Sequence, residues 1–398
     1  MDVTLSAEEE VFRHEVRTFI QESLPEDIAE SARRGLHTPP DMMRRWQQIL
    51  HTKGWAAPSW PKEYGGAGWT AVQRFIFDEE YCMADGPMPL HMGHGVTMVG
   101  PLVYTFGTPE QKAHYLRRIL SGEDLWCQGF SEPGSGSDLA SLRTRAVRDG
   151  DRYVINGQKI WTSMAHIANM IFCLVRTDTT VKPQEGISLL AFPMNTPGVT
   201  VRPILSIDRA HSLNEVHFED VRVPNTALVG EEGMGWTYAK FLLGLERFAI
   251  AEIARSKRRL QRLRQMARAI PVGTRMLVDD PVFQDRTTAL EIDLMALEQM
   301  GRKVAWEMDQ NIDNPLSASM LKLRGSEIIQ AVTELSVEAM AYSGLAYDAM
   351  QDGSQCSPPA PAIAQGKMEE FLFMRAATIY GGSTEIQKNI IARMTFEN

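Results

Sequence analysis

Hydrophobic and polar positions along this chain change period twice, from helical spacing to strand spacing and back. Near the start, Ser6 is followed three residues later by Glu9, the pattern of a capping box at a helix N-terminus. The apolar positions that follow at helical spacing are Val11, Phe12, Val16 and Phe19. This pattern predicts an amphipathic helix, and we expect helices from residue 3 to about residue 125.

A second helix in this region is predicted by the segment TPEQKAHYLRRILSGED. Thr108 supplies an N-cap side chain, and Pro109 takes the first helical position. Gly122 stands where such a helix should end. The sequence therefore predicts a capped helix between these residues.

The pattern changes to short β-favouring runs after about residue 126. Asp149-Gly150 and Asn156-Gly157 are dipeptides typical of two-residue hairpin turns, so they predict two successive turns and a meander. Further strands are expected in GISLLAFPM, GVTVRPIL and NEVHFEDVRV. In the last of these, the apolar side is formed by Val216, Phe218 and Val221.

Helical spacing returns at Gly235 and continues in three long segments. The first runs to about residue 270 and becomes basic at its far end, which suits the helix dipole. The fold class predicted is mainly α with a central β domain. The expected domains are residues 1–125 (helical), 126–234 (β) and 235–398 (helical bundle).

Composition narrows the possible functions. The 398 residues exceed what one hydrophobic core usually holds, so we expect several packed parts. A net charge of −9 argues against a nucleic-acid-binding surface. No apolar run is long enough to span a membrane and the start does not resemble a signal peptide, so a cytoplasmic location is expected. The four cysteines are far apart, which favours buried thiols over a zinc site or disulfides.

The first candidate site is the loop FSEPGSGSDLASLRT, residues 130–144. Gly134 and Gly136 would let backbone amides approach an anion, and Ser131, Ser135 and Ser137 supply hydroxyl donors. The loop is not a Rossmann fingerprint, because leucine fills the third glycine position and no βαβ context follows. From the residues alone, an anion cradle and a plain flexible loop both stay open.

The second candidate is KIWTSMAH, residues 159–166. Trp161 followed by the hydroxyls of Thr162 and Ser163 could offer an aromatic wall and hydrogen bonds to a flat heterocycle. The alternative is that this tryptophan simply belongs to the core.

The third candidate is Glu246, which lies in an apolar helical stripe. The other positions of that stripe are Ala239, Leu242, Leu243, Ala249, Ile250 and Ile253. Since the positions three and four residues away on both sides are apolar, no salt bridge along the helix can explain the carboxylate. Burial would raise the pKa of Glu246 toward the range of a general base. A buried partner on another helix is the alternative.

Taken together, the segments resemble the acyl-CoA dehydrogenase family over almost the whole chain. The resemblance rests on the order of WPKEYGG, FSEPGSGSD, YVINGQKIWTS, FEDVRVP, GMGW and IYGGSTEIQ. Within the family, the chain looks most like the large subunit of pimeloyl-CoA dehydrogenase and related bacterial enzymes.

The resemblance implies an N-terminal α domain, a middle β domain and a C-terminal four-helix bundle. It also implies FAD as cofactor, an acyl-CoA thioester as substrate and a trans-2-enoyl-CoA as product, as in fatty acid β-oxidation or steroid side-chain degradation. Electron transfer flavoprotein would be the electron acceptor, and the assembly would be a tetramer.

The resemblance also assigns roles to individual residues. Cofactor contacts are implied for Gln128, Phe130, Ser131, Trp161, Thr162, Ser163, Arg275, Gly381, Ser383 and Glu385. Substrate contacts are implied for Ser137, Arg247 and Gly382.

The catalytic base can come from either of two places in the family. Many members carry a glutamate directly after the tyrosine of the C-terminal motif, where this chain has Gly381. In another branch, which includes isovaleryl-CoA dehydrogenase, the base lies in a Leu-Glu-Arg setting on the first helix after the β domain. Glu246 occupies that setting here and is the expected base, with Glu385 as a weaker alternative.

Two departures from the family pattern concern contacts between subunits. Where members carry an Arg-x-x-Phe-Gly segment, this chain has IPVGTRMLVDDPVFQ, with Arg275 as the only plausible counterpart. The Gln-x-x-Gly-Gly-x-Gly segment before the last helix is replaced by SGLAYDAMQDGSQCSPPAPAIAQ. A heterotetramer with a smaller related subunit is therefore an alternative to a homotetramer. A redox-inactive subunit and an acyl-CoA oxidase are the alternatives for the activity.

Overall fold

The computed structural model describes residues 5–34, 38–87, 93–312, 314–341 and 365–396, without the side chains of residues 34 and 243–250. The chain divides into two compact units. The first, called the bundle unit here, comprises Met1–Pro39, Trp69–Met88 and Arg247–Asn398. The second, called the sheet unit, comprises Pro40–Gly68 and Pro89–Glu246.

The N-terminal region is helical, as predicted. Its α-helices are α1 (Ala7–Ser23), α2 (Glu26–Arg34), α3 (Pro40–Lys53), α4 (Ala71–Met83), α5 (Gly100–Phe106) and α6 (Pro109–Leu120). The capping box of α1 is confirmed, because the Glu9 amide donates to Ser6 Oγ at 3.2 Å and the Ser6 amide donates to Glu9 Oε2 at 2.7 Å. Thr108 likewise caps α6, and Gly122 follows its end with a φ of +74°.

One expected apolar position of α1 is wrong. Val11 is exposed, whereas Val16 and Ile20 are the buried residues of this helix. The other expected positions keep to the inner side of the helix, since Val16 is buried and Phe12 and Phe19 are half-buried.

A seven-stranded sheet forms the core of the sheet unit. The strands are β1 (Trp126–Gly129), β2 (Arg145–Asp149), β3 (Arg152–Lys159), β4 (Met170–Arg176), β5 (Ile187–Pro193), β6 (Val199–Ile204) and β7 (Leu213–Pro224). Their order is β1-β4-β2-β3-β7-β6, and β5 also pairs with β4. β4 runs parallel to β1 and β2, whereas the other pairs are antiparallel. The predicted apolar side of β7 is confirmed, since Val216, Phe218 and Val221 are buried.

Only one of the two predicted hairpin turns is present. Asp149-Gly150 connects β2 to β3, but Asn156-Gly157 lies inside β3, where the register shifts at a bulge. Gly157 has a φ of +149°, and a Cβ there would come within 2.6 Å of Thr144 Oγ1. The glycine is thus required by the close approach of a neighbouring segment rather than by a turn.

Helices return after the sheet. They are α7 (Gly235–Ile250), α8 (Ile253–Ala267), α9 (Pro281–Asp309), α10 (Pro315–Ala339), α11 (Lys367–Phe373) and α12 (Thr384–Phe396), with a short hairpin of β8 (Pro271–Val272) and β9 (Arg275–Met276). None of the helices in the described ranges is long and apolar enough to cross a membrane. The prediction of helical terminal regions around a central β region is confirmed, while the exact domain boundaries stay predictions.

The first long helical segment after the sheet is broken into α7 and α8. Glu252 adopts a left-handed backbone with a φ of +44°, which ends the α-helical geometry between the two helices. Gly325 of α10 packs against this break, since a Cβ at Gly325 would lie 2.7 Å from the Ala251 carbonyl oxygen. Ile253, expected on the same stripe as Glu246, is buried but belongs to the next helix.

Candidate active site

The end of β1 carries the first predicted cofactor segment. Gln128 lies opposite Phe172 of β4 in a parallel register. Phe130 is buried and packs edge-on against Phe172, with ring centroids 5.4 Å apart. Gln128 and Ser131 are only partly buried. The strand end is therefore held by its core contacts, while two polar side chains stay accessible to a ligand.

A buried ion pair joins this strand end to the end of β3. Lys159 is fully buried, and its ammonium donates to the Phe130 carbonyl oxygen at 3.0 Å and to Glu132 Oε1 at 2.8 Å. The amide of Ile160 donates to the Ser131 carbonyl oxygen at 2.9 Å. Two predicted segments, residues 128–131 and 161–163, are thus held together by the chain itself.

Glu132 has a second set of donors on the loop. Its carboxylate accepts hydrogen bonds from the backbone amides of Arg143, at 2.6 Å, and Thr144, at 2.9 Å. Burial alone would raise the pKa of Glu132, but Lys159 and these hydrogen bonds hold it below its usual range. Sequence reasoning missed both members of the ion pair. Glu132 lies within the quoted motif, but nothing local indicates that Lys159 is buried.

Trp161 is held out of the core. Its side chain is 57 % exposed, and its φ of +59° is uncommon for a residue other than glycine. The alternative that this tryptophan simply fills the core is therefore wrong. An exposed indole on a backbone fixed in this way can present a flat face to a ligand.

Thr162 is fixed beside it by Asn214 at the start of β7. The Thr162 amide donates to the Asn214 carbonyl oxygen, and Asn214 Nδ2 donates to the Thr162 carbonyl oxygen, each at 3.0 Å. The Thr162 hydroxyl is buried, yet it has no hydrogen-bond partner within the described part of the chain. Ser163 is partly buried. Sequence reasoning did not identify Asn214, whose role depends on the pairing of distant segments.

The glycine-rich loop is closed by its own backbone. Glu132 and Ser135 exchange two backbone hydrogen bonds of 2.9 Å. A Cβ at Gly134 or at Gly136 would meet nothing within 4 Å, so packing within the chain does not require either glycine. Ser137 is exposed. The loop presents small residues on an open side, which fits the approach of a ligand from outside.

The C-terminal motif lies in the bundle unit. Gly381 and Gly382 have φ values of +64° and +85°, so this turn needs glycine conformations. Gln387 Nε2 donates to both glycine carbonyl oxygens, at 3.4 and 3.3 Å. The buried Thr384 hydroxyl lacks a partner among the residues described.

The two other predicted cofactor residues of this motif follow the glycines. Ser383 is partly buried, whereas Glu385 is exposed at the start of α12. The backbone amide of Glu385 and the Ser383 hydroxyl lower the pKa of the Glu385 carboxyl. Glu385 is therefore an ionised, solvated helix-start residue.

The remaining predicted residues occupy α7 and the β8–β9 hairpin. The backbone of Glu246 and Arg247 forms part of α7, but their side chains lie outside the described part of the structure. Arg275 is exposed in β9, where it pairs with Val272 of β8, and its side chain makes no hydrogen bond or ion pair with the residues that the structure describes. Its exposure leaves it available to another chain.

Comparison of the chain with known proteins finds one family. Three family models match the chain: "Acyl-CoA dehydrogenase, N-terminal domain" over residues 6–123, the middle domain over 127–221 and the C-terminal domain over 233–396. A relative named acyl-CoA dehydrogenase IpdE1, from Mycobacterium tuberculosis, is 35 % identical over 396 residues, covering 96 % of each protein.

Solved structures give the same result. The "ChsE4-ChsE5 complex from Mycobacterium tuberculosis" contains a chain that is 31 % identical, with a TM-score of 0.85 and coverage of 100 % of this chain and 99 % of that one. The "Tcur3481-Tcur3483 steroid ACAD" is 29 % identical, with a TM-score of 0.86 and the same coverage. The likeness to pimeloyl-CoA dehydrogenase stays a prediction. The matches along its full length show that the chain belongs to the acyl-CoA dehydrogenase family, a family of oxidoreductases.

Proposed function

We propose that this chain is an FAD-dependent acyl-CoA dehydrogenase that converts an acyl-CoA thioester to its trans-2-enoyl-CoA. Members of the family use FAD in general. The observation that carries the proposal is the clamped pair of segments in the sheet unit, where the Lys159–Glu132 ion pair fixes residues 128–131 and 161–163.

The residues present fit a flavin. Trp161 offers an exposed aromatic face on a constrained backbone. The buried Thr162 hydroxyl has no partner in the described chain, and such a group normally finds one. Gln128, Phe130, Ser131 and Ser163 would complete this half of the cofactor contacts, and Gly381, Ser383 and Glu385 would supply contacts from the bundle unit.

In the reaction, Glu246 would remove the α proton of the acyl group as general base. The Gly381 backbone N–H would donate to the thioester oxygen and stabilise the negative charge that develops there. FAD, when bound, would supply the acceptor for the β hydride, so the substrate would lose one proton and one hydride, the equivalent of two hydrogen atoms. Ser137, Arg247 and Gly382 would contact the substrate.

The glycine pair is consistent with a base delivered from elsewhere in the chain. A residue with a side chain at Gly381 would be strained by the left-handed backbone, which has a φ of +64°. The position that carries the base in many family members therefore favours glycine here. A base on α7 would meet the requirement for a carboxylate without using this turn.

Electron transfer flavoprotein is the proposed electron acceptor, and a cytoplasmic tetramer is the proposed form of the enzyme. Both solved structures described above have two components in their names, which supports a heterotetramer with a related smaller subunit. The exposed Arg275 is available for a contact across subunits. One of these structures is named a steroid ACAD, so a steroid-derived acyl group is among the candidate substrates.

The alternative function is a redox-inactive subunit that supports a site held by its partner. It is favoured by the two altered segments that would otherwise contact FAD across subunits. The test is to purify the chain alone and together with a related smaller subunit, and then to add acyl-CoA without oxygen. The proposal predicts a yellow protein whose flavin absorbance bleaches while the acyl-CoA loses two mass units. Bound flavin that no acyl-CoA bleaches would support the alternative.

A further inference from the structure

Two histidines are stacked beside the segment of the sheet unit that carries Trp161 and Thr162. The imidazole rings of His166 and His211 have centroids 4.0 Å apart and planes inclined by 23°. Both residues line a cavity of about 790 Å³, and both are exposed. Protons from the solvent can therefore reach either ring.

Asn214, at the start of β7, contacts both rings. Its Oδ1 lies 2.8 Å from His211 Nε2, and its Nδ2 lies 3.3 Å from His166 Nδ1. The same Nδ2 donates to the Thr162 carbonyl oxygen at 3.0 Å. Since Asn214 is fully buried, one interior amide connects the two accessible histidines to the backbone of Thr162.

These contacts fix the hydrogens on the two rings. A carbonyl oxygen only accepts hydrogen bonds, so the atom of Asn214 that faces Thr162 must be the amide nitrogen. The amide oxygen then faces His211, whose Nε2 must carry a hydrogen. The second hydrogen of the amide nitrogen is directed at His166 Nδ1, which needs a free lone pair to accept it. The contact between Asn214 and His166 therefore requires a neutral His166 with its hydrogen on Nε2.

The backbone that Asn214 holds depends on such contacts. Trp161 and Met164, which lie on either side of Thr162, have φ values of +59° and +60°. A left-handed backbone is unfavourable for residues with side chains and persists where neighbouring contacts enforce it. Here the Thr162 amide donates to the Asn214 carbonyl oxygen at 3.0 Å, and the Met164 amide donates to the Ser212 carbonyl oxygen at 2.7 Å. Loss of the Asn214 side-chain contact should therefore loosen this segment.

Protonation of His166 would disturb the arrangement. Its Nδ1–H would point at the amide nitrogen of Asn214, and two donors cannot share a hydrogen bond. The amide can turn, which removes its nitrogen from the Thr162 carbonyl, or His166 can move away and leave a buried amide hydrogen without a partner. Partial burial and the neighbouring His211 lower the pKa of His166, which agrees with a preference for the neutral ring.

Other titratable groups line the same cavity. They are His114, Tyr115 and Arg118 of α6 and Asp124 before β1. Arg118 and Asp124 neutralise each other through hydrogen bonds of 2.9 and 2.8 Å. His114 is exposed and packs edge-on against Tyr115, with ring centroids 4.9 Å apart. Within the described chain, no hydrogen bond joins His114 to Asn214, so His166 and His211 are the titratable residues of this cavity that Asn214 contacts.

We propose that His166, acting through Asn214, positions residues 161–164 for the flavin only while its ring is neutral, so that flavin binding weakens as the pH falls. The inference rests on the proposed function and adds a positioning residue that need not touch the flavin. The affinity for FAD should be complete at about pH 8 and should fall as the pH decreases through the lowered pKa of His166.

The test measures the Kd of the apoprotein for FAD by fluorescence titration, with the partner subunit present if flavin binding needs it. The titrations cover about pH 8 to about pH 5, the range in which a histidine with a lowered pKa changes its charge. The unfolding temperature of the apoprotein at each pH shows where the fold is intact. For the wild type, we expect the Kd to rise by about two- to tenfold toward the acid end, the effect of one hydrogen bond.

Two variants separate the hydrogen bond of His166 from its charge. In His166→Asn, Oδ1 takes the place of Nδ1 and accepts from Asn214 without titrating, so the Kd should stay near the wild-type value of the alkaline end. In His166→Leu no acceptor is left, so the Kd should be raised by about two- to tenfold at every pH. His114→Asn is the matched control, because it removes an imidazole from the same cavity, and it should keep the wild-type pH dependence.

Three outcomes overturn the inference. They are a wild-type Kd that does not change with pH, a pH dependence that His166→Asn retains in full, and a pH dependence that His114→Asn abolishes. FAD still binds in each of these cases, so the proposed function is unaffected. If the wild type binds no FAD at any pH with the partner subunit present, the proposed function fails and the inference fails with it.

Discussion

The ammonium of Lys159 lies 2.8 Å from Glu132 Oε1 in the interior of the sheet unit. Lys159 is fully buried and Glu132 nearly so. Because Lys159 also binds the Phe130 carbonyl oxygen, this pair connects the end of β3 to the segment that follows β1. The geometry of the proposed flavin site therefore depends on two residues that need not touch the flavin.

Replacement of Lys159 by methionine should damage both stability and flavin binding. It leaves the Glu132 carboxylate buried without its cation, which typically costs about 3 to 5 kcal/mol. The free energy of unfolding from denaturant titration and the ratio of flavin to protein absorbance measure the two effects. Arg222→Met, which breaks an exposed pair, is the control and should change stability by less than about 1 kcal/mol. A Lys159→Met protein with wild-type stability and flavin content would contradict the proposal that the Lys159–Glu132 ion pair holds the two flavin-site segments in place.

Thr162→Val should weaken flavin binding without weakening the apoprotein. The hydroxyl that it removes has no partner in the described chain, so the fold loses no hydrogen bond. A lost hydrogen bond to the flavin would cost about 0.5 to 1.5 kcal/mol, roughly two- to tenfold in Kd. Fluorescence titration of the apoprotein with FAD gives this Kd, and unfolding gives the stability. An unchanged Kd would show that this hydroxyl does not face the flavin.

Gly382→Ala should destabilise the bundle unit, whereas Gly134→Ala should not affect stability. Gly382 has a φ of +85°, and a Cβ there would lie 2.5 Å from Gln387 Nε2. The left-handed backbone alone costs about 1 to 2 kcal/mol for a residue with a side chain. Gly134 is the matched control, since its Cβ would meet nothing within 4 Å. Equal thermal unfolding temperatures for the two variants would contradict this difference.

Asp78→Asn should stabilise the protein more at pH 7 than at pH 4. The pKa of Asp78 is raised to about 6 in the folded protein, so the folded state holds this proton more tightly than the unfolded chain. The stability that the protonated group contributes is therefore complete below about pH 4 and lost as the pH rises through 6. The groups that act on it are Arg74 and Glu79 from α4 and Arg255 from α8.

Thermal unfolding of the wild type and the variant across this range measures the effect. The difference between them should grow from pH 4 to pH 7. A difference that does not depend on pH would mean that Asp78 titrates as an ordinary solvated carboxyl.

Features set by neighbouring residues in the chain could be predicted from the sequence. The capping box at Ser6 and the N-cap at Thr108 depend only on residues within one helical turn, and both are present. The buried face of β7 followed from its apolar positions Val216, Phe218 and Val221. Asn156-Gly157 was misinterpreted, because pairing with β7 and the approach of Thr144 override its local turn preference.

The candidate site could be predicted only in part, because contacts between distant parts of the chain also decide its geometry. The segments that hold it were recognisable as motifs, and the structure fixes residues 128–131 and 161–163 together as one group. The groups that hold those segments in place were not recognisable, since Lys159 and Asn214 act on residues far away in the sequence.

The most direct test of the account is anaerobic flavin reduction in Glu246→Gln. The protein is mixed with an acyl-CoA that bleaches the wild type, and flavin absorbance is recorded by stopped flow. The variant should keep its flavin and its unfolding temperature, since glutamine has nearly the same shape. Loss of a general base should slow bleaching by about 10² to 10⁴-fold. Glu385→Gln, once loaded with flavin, should bleach at a rate close to that of the wild type, because the exposed Glu385 is proposed to contact the cofactor and not to take the proton. Bleaching of Glu246→Gln at the wild-type rate, or a loss of bleaching in Glu385→Gln instead, would contradict the assignment of Glu246 as the base.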